Sequence, residues 1–210
     1  MKFISAVLFS LTLVGTAHAN VTSYTSASSF NAASIGLTDF DFEGIVGPGE
    51  VTFFPSGVTR GPLSFSATSI FVIDPGFGSG NPVAILSGQS AAPPAPNPVT
   101  ATLGGATAIS FSFGSYLVSG LPLSVVVTAG SDAVFNLAMP ASINTYNFVG
   151  FTSDTAITKV VLNSDSQDIS VFDISRFQVG SIAPVPEPAA ALMFGIGLAL
   201  MGAIGRRRRA

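Results

Sequence analysis

Residues 109–113 read Ile-Ser-Phe-Ser-Phe and residues 63–67 read Leu-Ser-Phe-Ser-Ala. In both, apolar side chains alternate with serine at a period of two, which places one set on a buried face and the other on a wet one, the pattern of a half-buried β-strand. Working outward, further strands are predicted at 39–44, 51–54, 70–74, 83–86, 99–103, 123–129, 133–138, 146–151, 157–163 and 169–179. They recur every 8–12 residues or so, separated by Gly-Pro, Pro-Gly and Gly-Ser steps, and no long amphipathic helix interrupts them. The expected fold is therefore all-β, a single jelly-roll-like sandwich.

Two stretches break this rhythm. Residues 74–81 (Asp-Pro-Gly-Phe-Gly-Ser-Gly-Asn) carry too much glycine and proline for regular structure, and 90–98 (Ser-Ala-Ala-Pro-Pro-Ala-Pro-Asn-Pro) are richer still in proline. Dividing the chain there would leave two pieces with too few strands for a core, so one domain over residues 20–183 is expected.

The composition narrows the chemistry. Of 210 residues only 9% are charged, with 8 basic and 11 acidic side chains, no Cys, no Trp and one His. Mean hydropathy is +0.60, too apolar for a disordered chain. That His18 lies in a leader: Lys2 supplies a basic start, Phe3–Val14 an apolar stretch, and Ala17-His18-Ala19 a small-x-small cleavage site. Residues 1–19 thus read as a secretory signal peptide whose removal makes Asn20 the first residue. The mature chain then has neither His nor Cys, which excludes Ser-His-Asp and Cys-His catalysis, Cys/His zinc sites and the usual haem and iron–sulfur ligation. Residues 20–185 keep Arg60, Lys159 and Arg176 against ten acidic residues, a balance unsuited to nucleic acid.

At the other end, residues 185–210 read VPEPAAALMFGIGLALMGAIGRRRRA. Ala189–Gly205 is a run of 17 residues without a charge, at the short end of what spans a bilayer as a helix. Pro188 suits a first helical position and Glu187 the positive end of a helix dipole. Arg206, Arg207, Arg208 and Arg209 close the span, and by the positive-inside rule they stay cytoplasmic while the body faces outward. Leader and tail therefore imply the same topology.

This tail resembles the PEP-CTERM sorting signal in all three of its parts, the motif Val185-Pro186-Glu187-Pro188, the short apolar span and the terminal arginines. The resemblance implies that 184–210 is a sorting segment recognised and cleaved near Pro-Glu-Pro by an exosortase, a membrane transpeptidase-like enzyme of Gram-negative bacteria that make exopolysaccharide. It further implies export, anchorage in the envelope membrane before processing, and a later place at the cell surface or in the extracellular matrix of a biofilm. On this reading Glu187 and its flanking prolines are recognised by another protein's active site, and the chain itself is not an enzyme. Two alternatives stand beside it: a permanent membrane anchor, and a secreted glycoside hydrolase or lyase drawing a carboxylate pair from Asp41, Glu43, Asp132, Asp154, Asp165, Asp168 and Asp173.

Within the body, Asp39, Asp41 and Glu43 alternate with Phe40 and Phe42, and Asp173 falls on an otherwise mostly apolar face with Ile169, Val171, Phe177 and Val179. A buried carboxylate needs a hydrogen-bond partner or a metal. The segments Phe-Asp-Phe-Glu-Gly (40–44), 148–160 and 171–180 resemble the jelly-roll domain common in PEP-CTERM proteins, itself similar to lectin-like and MAM-type sandwiches. That resemblance implies Glu43 and Asp173 as candidate ligands of a structural Ca²⁺, with backbone carbonyls and water completing the six to eight oxygens the ion needs. It departs from the pattern at Ile174, where an Asn commonly follows the Asp. An exported sandwich of this kind is also expected to meet exopolysaccharide, with Tyr24, Tyr116 and Tyr146 the only Tyr faces it can offer.

Overall fold

The computed structural model describes residues 20–77, 85–88, 98–117, 119–164 and 172–184. The leader and the sorting segment beyond Pro184 lie outside these residues, as do Asp165, Asp168 and most of the two glycine- and proline-rich loops.

The described chain is an all-β, sandwich-like fold. Its strands are β1 (Val21–Tyr24), β2 (Ser34–Asp41), β3 (Val51–Phe53), β4 (Val58–Arg60), β5 (Leu63–Ser66), β6 (Ile70–Ile73), β7 (Ile85–Gly88), β8 (Val99–Ser115), β9 (Pro122–Ala129), β10 (Ser131–Ala138), β11 (Thr145–Ser164) and β12 (Phe172–Ile182). A six-residue helix, α1 (Ala27–Ala32), and a 3₁₀ turn at Pro75–Phe77 are the helical pieces among the described residues. The hydrogen-bonded order is β10-β9-β11-β8-β12-β7-β6-β3, with β1 on β11, β2 on β12, β5 on β8 and β4 on β5.

Three long strands each change partner along their length, and this turns one connected sheet into facing halves. The first half of β11 holds β1 while its second half holds β9; β8 pairs with β5 through residues 100–103 and with β12 through 108–114; β12 pairs first with β7 and then with β2. Irregular register accompanies the changes, between Thr152 and Ile157 on β11 and between Ile174 and Arg176 on β12. Extra residues in one strand bend it and raise its twist. Gly105, at φ +97°, supplies the matching irregularity in β8.

The halves meet through phenylalanine. Phe177 of β12 meets Phe65 of β5 edge-on at 5.5 Å, and Phe135 of β10 lies 4.8 Å from Phe151 of β11, while within one half Phe177 stacks on its in-register neighbour Phe111 of β8 at 5.2 Å between ring centroids. Such ring pairs contribute beyond the area they bury. Phe42, Phe65, Phe111, Phe151 and Phe177 are all buried. In a Trp-free chain rich in phenylalanine, these buried rings supply much of the packing among the described residues. On the opposite face of β11, Phe30 from α1 is completely buried against Gly150.

Several expected boundaries move. Residues 99–103 and 109–113 form one strand, as do 146–151 and 157–163, because the glycines and polar residues between them make bulges instead of turns. The alternation expected unbroken through 169–179 is reset by the irregularity at Ser175: Phe172, Asp173, Ile174 and Ser175 are all buried, and outward exposure first returns at Arg176.

Candidate functional site

The acidic strand behaves as its alternation demands. Asp39, Asp41 and Glu43 are exposed, while Phe42 between them is buried in the core. Both described arginines converge on this face. Arg176 of β12 makes a bidentate pair with Asp39, Nε to Oδ1 at 2.9 Å and Nη2 to Oδ2 at 2.6 Å. That contact, chiefly through its hydrogen bonds, holds the Asp39 carboxyl below the usual carboxylate range and raises the arginine above its own. Arg60 donates to the Asp41 carbonyl at 2.9 Å and the Glu43 carbonyl at 2.8 Å, and its Nη2 lies 3.4 Å from Asp41 Oδ1. These half-exposed pairs are worth little energy individually, about 0.2–1 kcal/mol, but they engage the carboxylates of Asp39 and Asp41 and offset two of the three negative charges on this stretch.

Asp173 is different in kind. It has no exposed surface, lies opposite Gly114 on one side and Ser87 on the other, and its Oδ2 accepts the Tyr116 backbone N–H at 2.8 Å. Gly114 separates it in register from Tyr146. The Tyr146 phenol is held far above its ordinary range, first by burial and then by the negative charge of Asp173. The absent side chain at 114 is required here, since a Cβ would strike the Thr145 carbonyl.

The structure therefore makes Glu43 an exposed residue beyond the end of β2 and Asp173 a buried one on β12. A backbone N–H directed at Asp173 Oδ2 is a donor and cannot act as a metal ligand. Among the described residues no three His, Cys, Asp or Glu groups gather as a metal site. This arrangement fits a carboxylate that organises the 116 turn.

The remaining described acids named above are likewise engaged. Asp132 accepts from Thr128 Oγ1 at 2.6 Å, and Asp154 from the Asn20 backbone nitrogen at 3.1 Å. In the first loop, Asp74 Oδ1 accepts from the backbone nitrogens of Gly49 and Gly76 at 2.7 and 2.9 Å, an ordered turn that the glycine and proline content alone did not reveal. The arginine partners carry one sequence signal, three acids on one strand face beside just three basic residues in the body.

Among the described residues, surface cavities include one of about 310 Å³ lined by Thr25, Phe113, Leu137, Ala138, Asn147 and Phe148. Another of about 250 Å³ lies where Pro62, Leu103, Gly104, Ala106, Val179 and Gly180 come together. Neither lining includes an ionisable side chain.

At the end of the fold, Ile182 N donates to Thr107 Oγ1 and Ala183 N to the Ala33 carbonyl, both at 2.8 Å. The body thus holds the chain up to residue 183. The four sorting-motif residues, Val185 to Pro188, and Arg206 to Arg209 lie outside the described residues, as do Ala17 and Ala19 of the leader site. Among the described residues no helix is long and apolar enough to cross a membrane.

Comparison with solved structures finds distant likenesses. The catalytic domain of a GH87 α-1,3-glucanase is 13% identical over 74% of this chain, which spans only 30% of that domain (TM-score 0.41). The C-terminal CBM6 of LamC, a marine laminarinase from Zobellia galactanivorans, is 16% identical over 69% of this chain and 99% of its own (TM-score 0.30). A family 11 carbohydrate-binding module from Clostridium thermocellum is 9% identical over 82% and 94% (TM-score 0.30). No curated protein sequence matches the chain. The match that identifies a part of this protein lies in its tail, where residues 184–209 are a PEP-CTERM protein-sorting motif.

Proposed function

We propose that this chain is a non-enzymatic exported protein of the cell envelope or extracellular matrix, held in the membrane by residues 189–205 until an exosortase cleaves it near Pro186-Glu187-Pro188. The observation that carries this reading is the sorting motif at residues 184–209, directly after the last body residue tied into the fold, Ala183. Its non-enzymatic character is supported by the structural engagement of Asp39, Asp41, Asp132, Asp154 and Asp173, and by cavities whose linings carry no acid or base.

Pulse–chase labelling of the full chain and a Glu187→Ala variant tests the sorting step. Loss of processing and surface release in the variant is expected; unchanged processing refutes the assignment. Mass spectrometry of the mature C-terminus separates exosortase product from permanent anchor.

The proposal extends to contact between the body and neutral exopolysaccharide. The cavity of about 310 Å³ offers a hydroxyl at Thr25, an amide at Asn147 and a ring at Phe148, group types that hold uncharged sugars. Failure of the exported body to be retained by the matrix polymer would remove this extension and leave the sorting assignment intact.

A further inference from the structure

The first described residue makes a contact whose chemistry changes if the leader is removed. Asn20 N lies 3.1 Å from Asp154 Oδ1. The pairing of Val21 with Ser153, continued one step along the antiparallel ladder, brings Asn20 opposite Asp154, so the contact follows from the register of β1 on β11. While residue 19 is attached, this nitrogen is a neutral amide with a single N–H. We propose that Asp154 is the receiving site for the α-ammonium group that leader removal creates at Asn20, so that maturation itself fastens β1 to the sheet.

The inference rests on the reading that cleavage falls after Ala19. In that step water adds its hydroxyl to the Ala19 carbonyl carbon, the Ala19–Asn20 bond breaks, and the released amine takes up protons to become –NH₃⁺. One neutral donor becomes three donors carrying a full charge, and its bond to a carboxylate becomes charge-assisted. β1 is a short edge strand: it pairs with β11 over four residues and anchors through Tyr24, whose hydroxyl lies 3.2 Å from Thr152 Oγ1 and whose ring meets Phe30, but Thr22 and Ser23 are exposed and its start at Val21 is only half-buried. Neither β1 nor α1 bears a charged residue. On the neighbouring elements the other charged groups are Lys159, further along β11, and Asp132 of the β9–β10 hairpin, which already accepts from Thr128. The hairpin itself reaches this region through Thr155 Oγ1, which donates to the Ala129 carbonyl at 2.9 Å.

The site is also position-specific. Cleavage one residue away would move the ammonium by about 3.3–3.8 Å, out of hydrogen-bond reach of Asp154.

The test uses the product exported from the full chain. Intact-mass analysis first identifies its N-terminal residue, and ¹³C-methyl labelling then reports the α-amine titration in wild type and Asp154→Asn. The α-amine of the wild type is expected to titrate about half a unit or more above that of the variant, roughly a three-fold difference in acidity, with the gap closing in about 1 M salt. Equal titration of the two proteins at low salt overturns the pairing. A first residue other than Asn20 overturns the cleavage reading beneath it. If the variant is not exported, the wild type alone decides: an α-amine pKa that does not fall between low and high salt refutes the inference.

Discussion

The docking of α1 onto β11 invites a quantitative test. Phe30 is completely buried, and a Cβ added at Gly150 would lie 2.5 Å from its Cδ2 and 2.7 Å from its Cγ. Removing the ring by Phe30→Ala gives up about 150–250 Å² of aromatic burial, an upper bound near 4–6 kcal/mol at about 25 cal/mol per Å². Comparable truncations cost about 3–5 kcal/mol, a large share of a domain's usual 5–15 kcal/mol. The helix has six residues, and its N-cap Ser26 makes no side-chain capping bond to the helix backbone, too little to persist without this anchor. Gly150→Ala presses on the same ring from below and should cost about 1–3 kcal/mol. In the Phe30→Ala background, however, the obstructing atoms are gone, and alanine is favoured over glycine in a strand by roughly 0.5–1 kcal/mol. The two substitutions should therefore couple by about 2 kcal/mol, within the range for residues in contact. Chemical denaturation of the four exported proteins, followed by far-ultraviolet circular dichroism, gives the cycle. Additivity to within about 0.5 kcal/mol would mean that Phe30 does not occupy the space above Gly150.

Three further outcomes follow from the buried and exposed charges. Because burial and Asp173 raise the Tyr146 phenol, the folded state favours its protonated form. Its contribution is complete below the ordinary tyrosine value of about 10 and declines as pH rises above it; Tyr146→Phe should flatten the alkaline fall in denaturant midpoint, and identical slopes would refute this. The Asp39 carboxyl is depressed, so the Arg176 pair contributes fully above the ordinary 3.8 and is lost as pH drops from there through the lower folded value. The stability gap between wild type and Arg176→Ala, about 0.2–1 kcal/mol, should vanish in acid and shrink in salt, and a pH-independent gap would contradict the pairing. Calcium should leave the melting temperature of the exported body unchanged; a rise abolished by either Glu43→Gln or Asp173→Asn would make the two shared ligands.

Much of the fold is legible where one face is buried and the other wet. The serine alternation of β5 and the regular in-out burial of β9 follow directly from sequence. Legibility fails where a strand is covered on both faces or bends. Gly104-Gly105 looks like a turn, yet glycine also permits the positive φ of a bulge, so the sequence alone does not reveal that β8 continues. The short pieces β1, α1 and β4 carry too few residues for any period to register, and Phe30 declares its role only once Gly150 lies beneath it. At the site, the apolar neighbours of Asp173 announced burial, but its partner is a backbone N–H, to which side-chain patterns are blind. Glu43 and Asp173 look equivalent as letters and differ completely in exposure.

The partner-switching of the last strand has a kinetic consequence. β12 pairs with β2, β7 and β8, and Arg176 reaches Asp39 across 137 positions of chain. Closing such distant segments is entropically costly and slow compared with forming hairpins such as β9–β10. During passage across a membrane from the N-terminus, the early strands would wait on the far side with β8 and β2 each missing a neighbour, prone to alternative pairing. On the proposed export route, completion would await residues 172–182, and residues 189–205 would be next to reach the bilayer. Folding and sorting would thus be timed by the same final stretch of polypeptide, and a delay in one leaves the other exposed.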